Sequence, residues 1–356
     1  PEITDPEIVK VVETGFNEAT DIKDCGTMAI GTKTLKMVYV NNLSSVIFPT
    51  ADGAFSDDSM TCTINNKFFM SDTVITNAIF KEVLQWALDN DKFSLVTGSH
   101  NEITELYAKF GDRKLCEFDG SFEYPVDSGH FHTAKIHFDL KNKLFTVDTG
   151  FENHPVVYVS WYGFIIFCNW LTEMRDGNCD NVVYSGINDD WSHEDTIENI
   201  SKNGYRLPST NEWEYAARYR GSDTTNTVTE TIDGIDFSLT DIKWTMRDSA
   251  SGATDNTDNE ESTRAVAWYY GDPAMGSYSK LMPVAQKKAN ALGLYDMNGN
   301  VWEGCFTFKD IVSRYIRGGN WFTGNENMKS GLWGYEDPNA ESAGSAGFGF
   351  RIARTK

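Results

Sequence analysis

Side chains suited to covalent or redox chemistry are few in this chain and poorly grouped. Its six cysteines (Cys25, Cys62, Cys116, Cys168, Cys179 and Cys305) are scattered, with no CxxC pair. Their even count permits disulfides without requiring them in a chain of 356 residues. Cys168 lies in an apolar helical run and reads as a small buried hydrophobe. His130, His132 and His137 are the one histidine cluster, spaced as alternate residues of a strand and its neighbour. From Phe306 to Lys356 there is no cysteine at all. Between Phe322 and Ala346, Gly, Ser, Asn and aromatic residues fill 13 of 25 positions, and neither Cys nor His occurs. That composition suits recognition: rigid aromatics supply contact area and small polar residues supply adaptable hydrogen bonds. Trp333 and Tyr335 alternate around Gly334, so an extended backbone turns both to one side as an aromatic anchor.

The elements that must hold this segment are legible upstream. Met37-Val38-Tyr39-Val40 reads as a strand, and the preceding residues, 1–35, as an N-terminal extension. Thr76 precedes Ile79, Phe80, Val83, Leu84 and Ala87, one face of a helix. The alternation from Ala134 to Phe138 predicts a strand. Ser160 is placed to cap a helix reaching about Met174, broken by Gly177. Ser209-Thr210-Asn211-Glu212 fits a capping box that opens a third helix, with Gly221 as its stop. Residues 221–263 are a polar insertion, and Ser251 to Ser262 predicts a mobile surface loop. Few helices and many Gly-rich turns make this an α+β chain with much irregular structure.

A net charge of −21 and a pI near 4.6 exclude a phosphate-binding surface, so no nucleic-acid partner is expected. The longest apolar stretch, Tyr162 to Leu171, is far too short to span a bilayer, so no membrane-spanning segment is expected. The chain starts at Pro1, which predicts a removed export or lipidation signal and an exported or cell-surface protein held by a lipid anchor.

Four ordered segments then argue together: Asn153 to Trp161 (NHPVVYVSW) with Cys168-Asn169-Trp170-Leu171; Tyr205 to Arg218 (YRLPSTNEWEYAAR); Asn290 to Glu303 (NALGLYDMNGNVWE); and Arg317-Gly318-Gly319-Asn320-Trp321 with Gly349-Phe350-Arg351. In this order they closely resemble the formylglycine-generating enzyme (sulfatase-modifying factor) family over about residues 36–356. The resemblance implies one domain with a C-type-lectin-like fold, in which Trp161, Trp170, Trp213 and Trp302 are core. Arg206 and Arg351 are then scaffold cations, expected to pair with Glu212 or Glu214.

The enzymes of that family use a cysteine pair inside the final frame, and here that window holds none. Copper binding is therefore not expected, and an oxidoreductase with altered chemistry is the second reading. The related sulfoxide synthases need a three-histidine iron site, which His130, His132 and His137 do not suit. Variable proteins of diversity-generating retroelements share the fold and vary the surface inside the frame. That branch implies a non-catalytic receptor or adhesin for an unknown protein or surface ligand; an inert envelope protein is the third reading. It assigns Trp321, Glu326, Asn327 and Ser330 to the scaffold. The displayed set becomes Phe322, Thr323, Leu332, Trp333, Gly334, Tyr335, Glu336, Asp337, Ala340, Ser342, Ala343 and Ser345, within 317–351. The resemblance also maps Asp296, Gly299, Val301 and Glu303 onto family calcium ligands, a structural cofactor expected to fix the base of the segment.

Overall fold

The computed structural model describes residues 10–16, 25–41, 45–51, 59–100, 103–118, 124–126, 130–132, 134–276, 279–338 and 345–356. Its backbone is a six-stranded antiparallel sheet of strands β1 (Val11–Thr14), β2 (Cys25–Ile30), β3 (Lys33–Asn41), β4 (Phe68–Ser71), β5 (Tyr205–Arg206) and β10 (Ala353–Thr355). They lie in the order β1-β2-β3-β4-β10-β5. The continuous apolar run in β3 has a simple cause: both faces of this sheet are covered. Met37 and Tyr39 pack on one side with Phe69, Ile79 and Phe167, while Val38 and Val40 pack on the other with Phe68, Met70 and Trp213.

Helices α1 (Asn77–Asp89) and α2 (Trp161–Asp176) cover the first face, and α3 (Thr210–Arg218) the second. Thr76 caps α1 through its side chain, and Ile79, Phe80, Val83, Leu84 and Ala87 are buried, as their spacing predicts. Ser160 caps α2, and Gly177 ends it in the left-handed conformation. The capping box between Ser209 and Glu212 is complete. The third helix stops at Arg218 rather than at Gly221, because Tyr219–Gly221 extends to pair with Lys243–Trp244.

Two expectations fail here for physical reasons. The boundary at residue 35 falls inside β3, and the supposed extension supplies β1 and β2 with the core residues Val11, Phe16, Met28, Ile30 and Leu35. Residues 11–35 therefore include part of the main sheet. The segment 251–262 is no loose loop either. Ser262 Oγ accepts from Thr254 N and Asp255 N, each at 2.9 Å, and Asn259 caps the short helix α4 (Glu260–Arg264). Polar side chains satisfying backbone groups do there what apolar burial could not.

The strand expected from Ala134 begins at Ile136 and ends at Asp139. His130 and His132 lie on the hairpin strand His130–His132; His137 lies on the next and is hydrogen-bonded to Asp148 at 2.8 Å. None of the six cysteines is joined in a disulfide. Among the described residues no helix is long and apolar enough to cross a membrane.

A second sheet carries the C-terminal segment. It contains β6 (Trp302–Asp310), β7 (Ser313–Arg317), β8 (Trp333–Glu336) and β9 (Phe348–Gly349), in the order β8-β7-β6-β9. The β6–β9 pairing is parallel and returns the chain from the segment to its base.

Candidate functional site

The segment 317–351 is held at both ends by a buried arginine bound to a buried glutamate. Arg317 donates through Nη2 to Glu214 at 3.0 Å and through Nε to Thr210 Oγ1 at 2.7 Å. Arg351 clamps Glu303 with two bonds, Nε to Oε2 at 2.5 Å and Nη2 to Oε1 at 2.6 Å. It also donates to the carbonyls of Ser71 and Tyr295. A third pair, Arg206 with Glu212, is bidentate at 2.7 Å for each bond. Trp213 Nε1 donates to Glu303 Oε2 at 2.7 Å, and Trp161 Nε1 donates to the Cys305 carbonyl at 3.1 Å. The second, third and fourth motif segments are thus wired to one another, and the first reaches Cys305, two residues beyond the third.

The sequence reading paired Arg206 correctly. Arg351 instead takes Glu303, because Glu214 is engaged by Arg317, Arg218 and Thr50. Burial pushes the Glu212 carboxyl up, but the Arg206 guanidinium outweighs it and holds the group below the usual range. At Glu303 burial wins over Arg351 and the carboxyl is raised. Gly318 and Gly319 then turn the chain at φ 97° and 74°; a Cβ on Gly318 would lie 2.8 Å from the Met297 carbonyl.

Between these anchors the displayed candidates divide. Phe322 is 44% exposed beside Trp321, and Thr323 is half-buried with its hydroxyl on the Asn320 carbonyl. Tyr335 is 61% exposed with the Lys309 ammonium over its ring, and Asp337 is exposed. Trp333, Gly334, Glu336 and Ser345 are half-buried. Trp333 packs edge-on against Tyr315, and the Ser345 carbonyl accepts from Tyr158 N.

Leu332 departs from its expected role. It is buried, because Ser330 N and Gly331 N are bonded to the carbonyls of Ser249 and Arg247, and this turn faces Leu332 inward. Ala340, Ser342 and Ala343 lie outside the described residues. Of the expected scaffold residues, Trp321 and Ser330 are buried, Asn327 is half-buried and Glu326 is exposed. Trp161, Trp170 and Trp213 are core as expected, whereas Trp302 is half-buried beside the side-chain-free Gly334.

Several exposed neighbours escaped the sequence reading. Phe308, Ile311 and Val312 project from the β6–β7 hairpin, and Tyr270 donates its N–H to the Thr323 carbonyl. The available signal was the apolar pair Ile311-Val312 between two charged or polar residues, at a turn where burial is rare.

Of the four residues matched to calcium ligands, the two carboxylates already make contacts within the protein. Both Glu303 oxygens are engaged by nitrogen donors, and the Arg351 guanidinium already supplies the compensating positive charge. Asp296 Oδ2 accepts from Ala285 N at 2.7 Å, leaving only Oδ1 of that buried group without a partner. Calcium needs six to eight oxygens. Among the described residues no group of three or more His, Cys, Asp or Glu side chains is placed to hold a metal.

This frame and fold define the class. Residues 38–356 match the Sulfatase-modifying factor enzyme 1-like domain, and the chain belongs to that family. The fold is the C-type-lectin-like α+β fold of its formylglycine-generating-enzyme-type relatives. Among solved structures it is similar to Treponema denticola variable protein 1, at a TM-score of 0.54 and 20% identity, covering 93% of this chain and 98% of that one. CarF aligns at a TM-score of 0.51 and 19% identity, covering 88% and 98%. In sequence the chain is 28% identical over 223 residues to the chaperone protein LppX of Paenibacillus barcinonensis, covering 58% of this chain and 71% of that protein.

Proposed function

We propose that this protein is a non-catalytic ligand-binding protein, a receptor or adhesin exported to the cell surface, that presents a selectable site between Arg317 and Arg351. The observation that carries the reading is the contrast inside the segment. Its ends are fixed by buried Arg–Glu pairs, while Phe322 and Tyr335, large aromatics, remain on the surface. Exposed aromatics on a rigid support bring large contact area at little entropy cost. Likeness to a structure named as a variable protein supports the same reading. Thiol oxidation has little to work with: Cys305 is fully buried, burial pushes its thiol up, and no cysteine follows it.

The test is a displayed library randomised at Phe322, Thr323, Tyr335, Glu336 and Asp337. Most members are expected to fold with unfolding midpoints close to the parent, and binders to unrelated proteins should be selectable. General loss of folding would instead make the segment structural. Copper-dependent thiol oxidation by the purified protein would favour the altered oxidoreductase. A near-repeat of the codons for residues 317–351, differing only at adenines and beside a reverse transcriptase, is the expected genomic signature.

A further inference from the structure

Residues 268–272 form a firmly held turn with one free side chain. The Trp268 carbonyl accepts from Asn300 N at 2.9 Å, and Tyr269 is buried. The buried Asp272 accepts from Ala274 N at 3.0 Å and is ion-paired with Lys287 at 2.6 Å. Gly271, at φ 93°, turns the chain between them. Tyr270 is left outside, 65% exposed. Its N–H donates to the Thr323 carbonyl at 2.9 Å, which sets it next to the exposed Phe322 in the adjoining chain. Among the described residues the Tyr270 side chain makes no hydrogen bond, ion pair or ring contact. Charges around the turn are matched: Asp272 faces Lys287 and Arg264, and Arg264 also pairs with Glu260. The adjoining stretch of the segment adds one charge of each sign, Glu326 and Lys329.

We propose that Tyr270 is a ligand-contacting residue supplied from outside residues 317–351, and that the occupant is a folded protein. The inference rests on the binding function above and extends its site onto the constant part of the scaffold. A stable protein interface covers about 800 Å² on each partner, a patch roughly 25–30 Å across. No patch of that size can be centred on Phe322 and stop short of a residue whose backbone is bonded to Thr323. Tyrosine is among the residues that dominate such interfaces, and this ring stands on a fixed backbone, so covering it costs little ordering entropy. With the local charges matched, contact rather than sign of charge selects the partner. That partner must offer an apolar patch to the ring and a hydrogen-bonding group to the hydroxyl.

The displayed library is selected separately on lysozyme and on green fluorescent protein, one basic and one acidic. Each selected clone is then remade in the full chain with Tyr270→Ala and with Tyr270→Phe, and affinities are read by biolayer interferometry. Tyr270→Ala should weaken most clones about tenfold or more on either target, and Tyr270→Phe should weaken them less. Unfolding midpoints of both variants should stay at the parent value, because the side chain is on the surface. Unchanged affinity in most Tyr270→Ala clones overturns the assignment and leaves the binding function standing. So does weakening that occurs only where the midpoint also falls. A library that yields no binder on either target removes the binding function, and the role of Tyr270 with it.

Discussion

At the residue scale, the segment's anchors and its tips should respond oppositely to mutation. Glu303→Ala strands the Arg351 guanidinium in a fully buried site, where an unpaired charge costs about 3–5 kcal/mol. Phe322→Ala removes a surface ring and should stay within about 0.5 kcal/mol. Urea titration of the two variants checks the contrast, and similar losses would remove the distinction between frame and display. A second residue-scale outcome concerns pH. Burial pushes the Glu198 carboxyl up to about 7, with Arg206 opposing and Glu212 reinforcing the shift. A carboxyl raised in the folded state contributes stability that is complete below its unfolded value, near 4.5, and is lost as pH rises through about 7. Relative to Glu198→Gln, the parent should gain thermal stability on acidification from pH 8 to 5. A constant difference between the two melting curves contradicts this. Residue identities told most where chemistry is local: the Ser209 and Glu212 capping box was readable from spacing, and Glu212 was one of the two partners expected for Arg206. The Arg351–Glu303 pair was not readable, since its members are 48 positions apart and meet only through the fold.

At the scale of elements, α1, α2 and α3 were legible because each carries an apolar face and a Ser or Thr cap. What was missed depends on pairing rather than on periodicity. Tyr219–Gly221 leaves helical geometry because Lys243–Trp244 is there to pair with it, Tyr219 lying opposite Trp244. Residues 251–262 looked disordered by composition, yet Ser262, within α4, gathers two backbone N–H groups of the preceding turn. Ser262→Ala should therefore leave those donors unsatisfied at about 1–3 kcal/mol. Hydrogen exchange over 252–262 should accelerate first. Unchanged exchange in that stretch would mean that other contacts order it.

On the scale of the whole molecule, the fold class followed from four separated motifs, whereas the N-terminal strands did not, because their sequence lies outside them. Glu13 on β1 is ion-paired with Arg354 Nη1 at 2.6 Å and accepts a bond from the Tyr205 hydroxyl, joining β1 to strands at the far side of the sheet. A protein beginning at residue 36 loses those bonds along with Met28 and Ile30 from the core. It should aggregate or melt well below the parent, as scanning calorimetry would reveal; an unchanged midpoint would restore residues 1–35 to the status of an appendage.

Strand β10 has a consequence for biosynthesis. It follows the displayed segment in the chain, yet it is inserted between β4 and β5 in the main sheet. A ribosome must therefore translate through all of residues 317–351, in frame, before the sheet can be closed. Any copy with a stop codon or a frameshift in that segment lacks the strand and cannot complete its scaffold. The architecture thus makes closure of the sheet depend on an intact reading frame through everything that precedes its last strand.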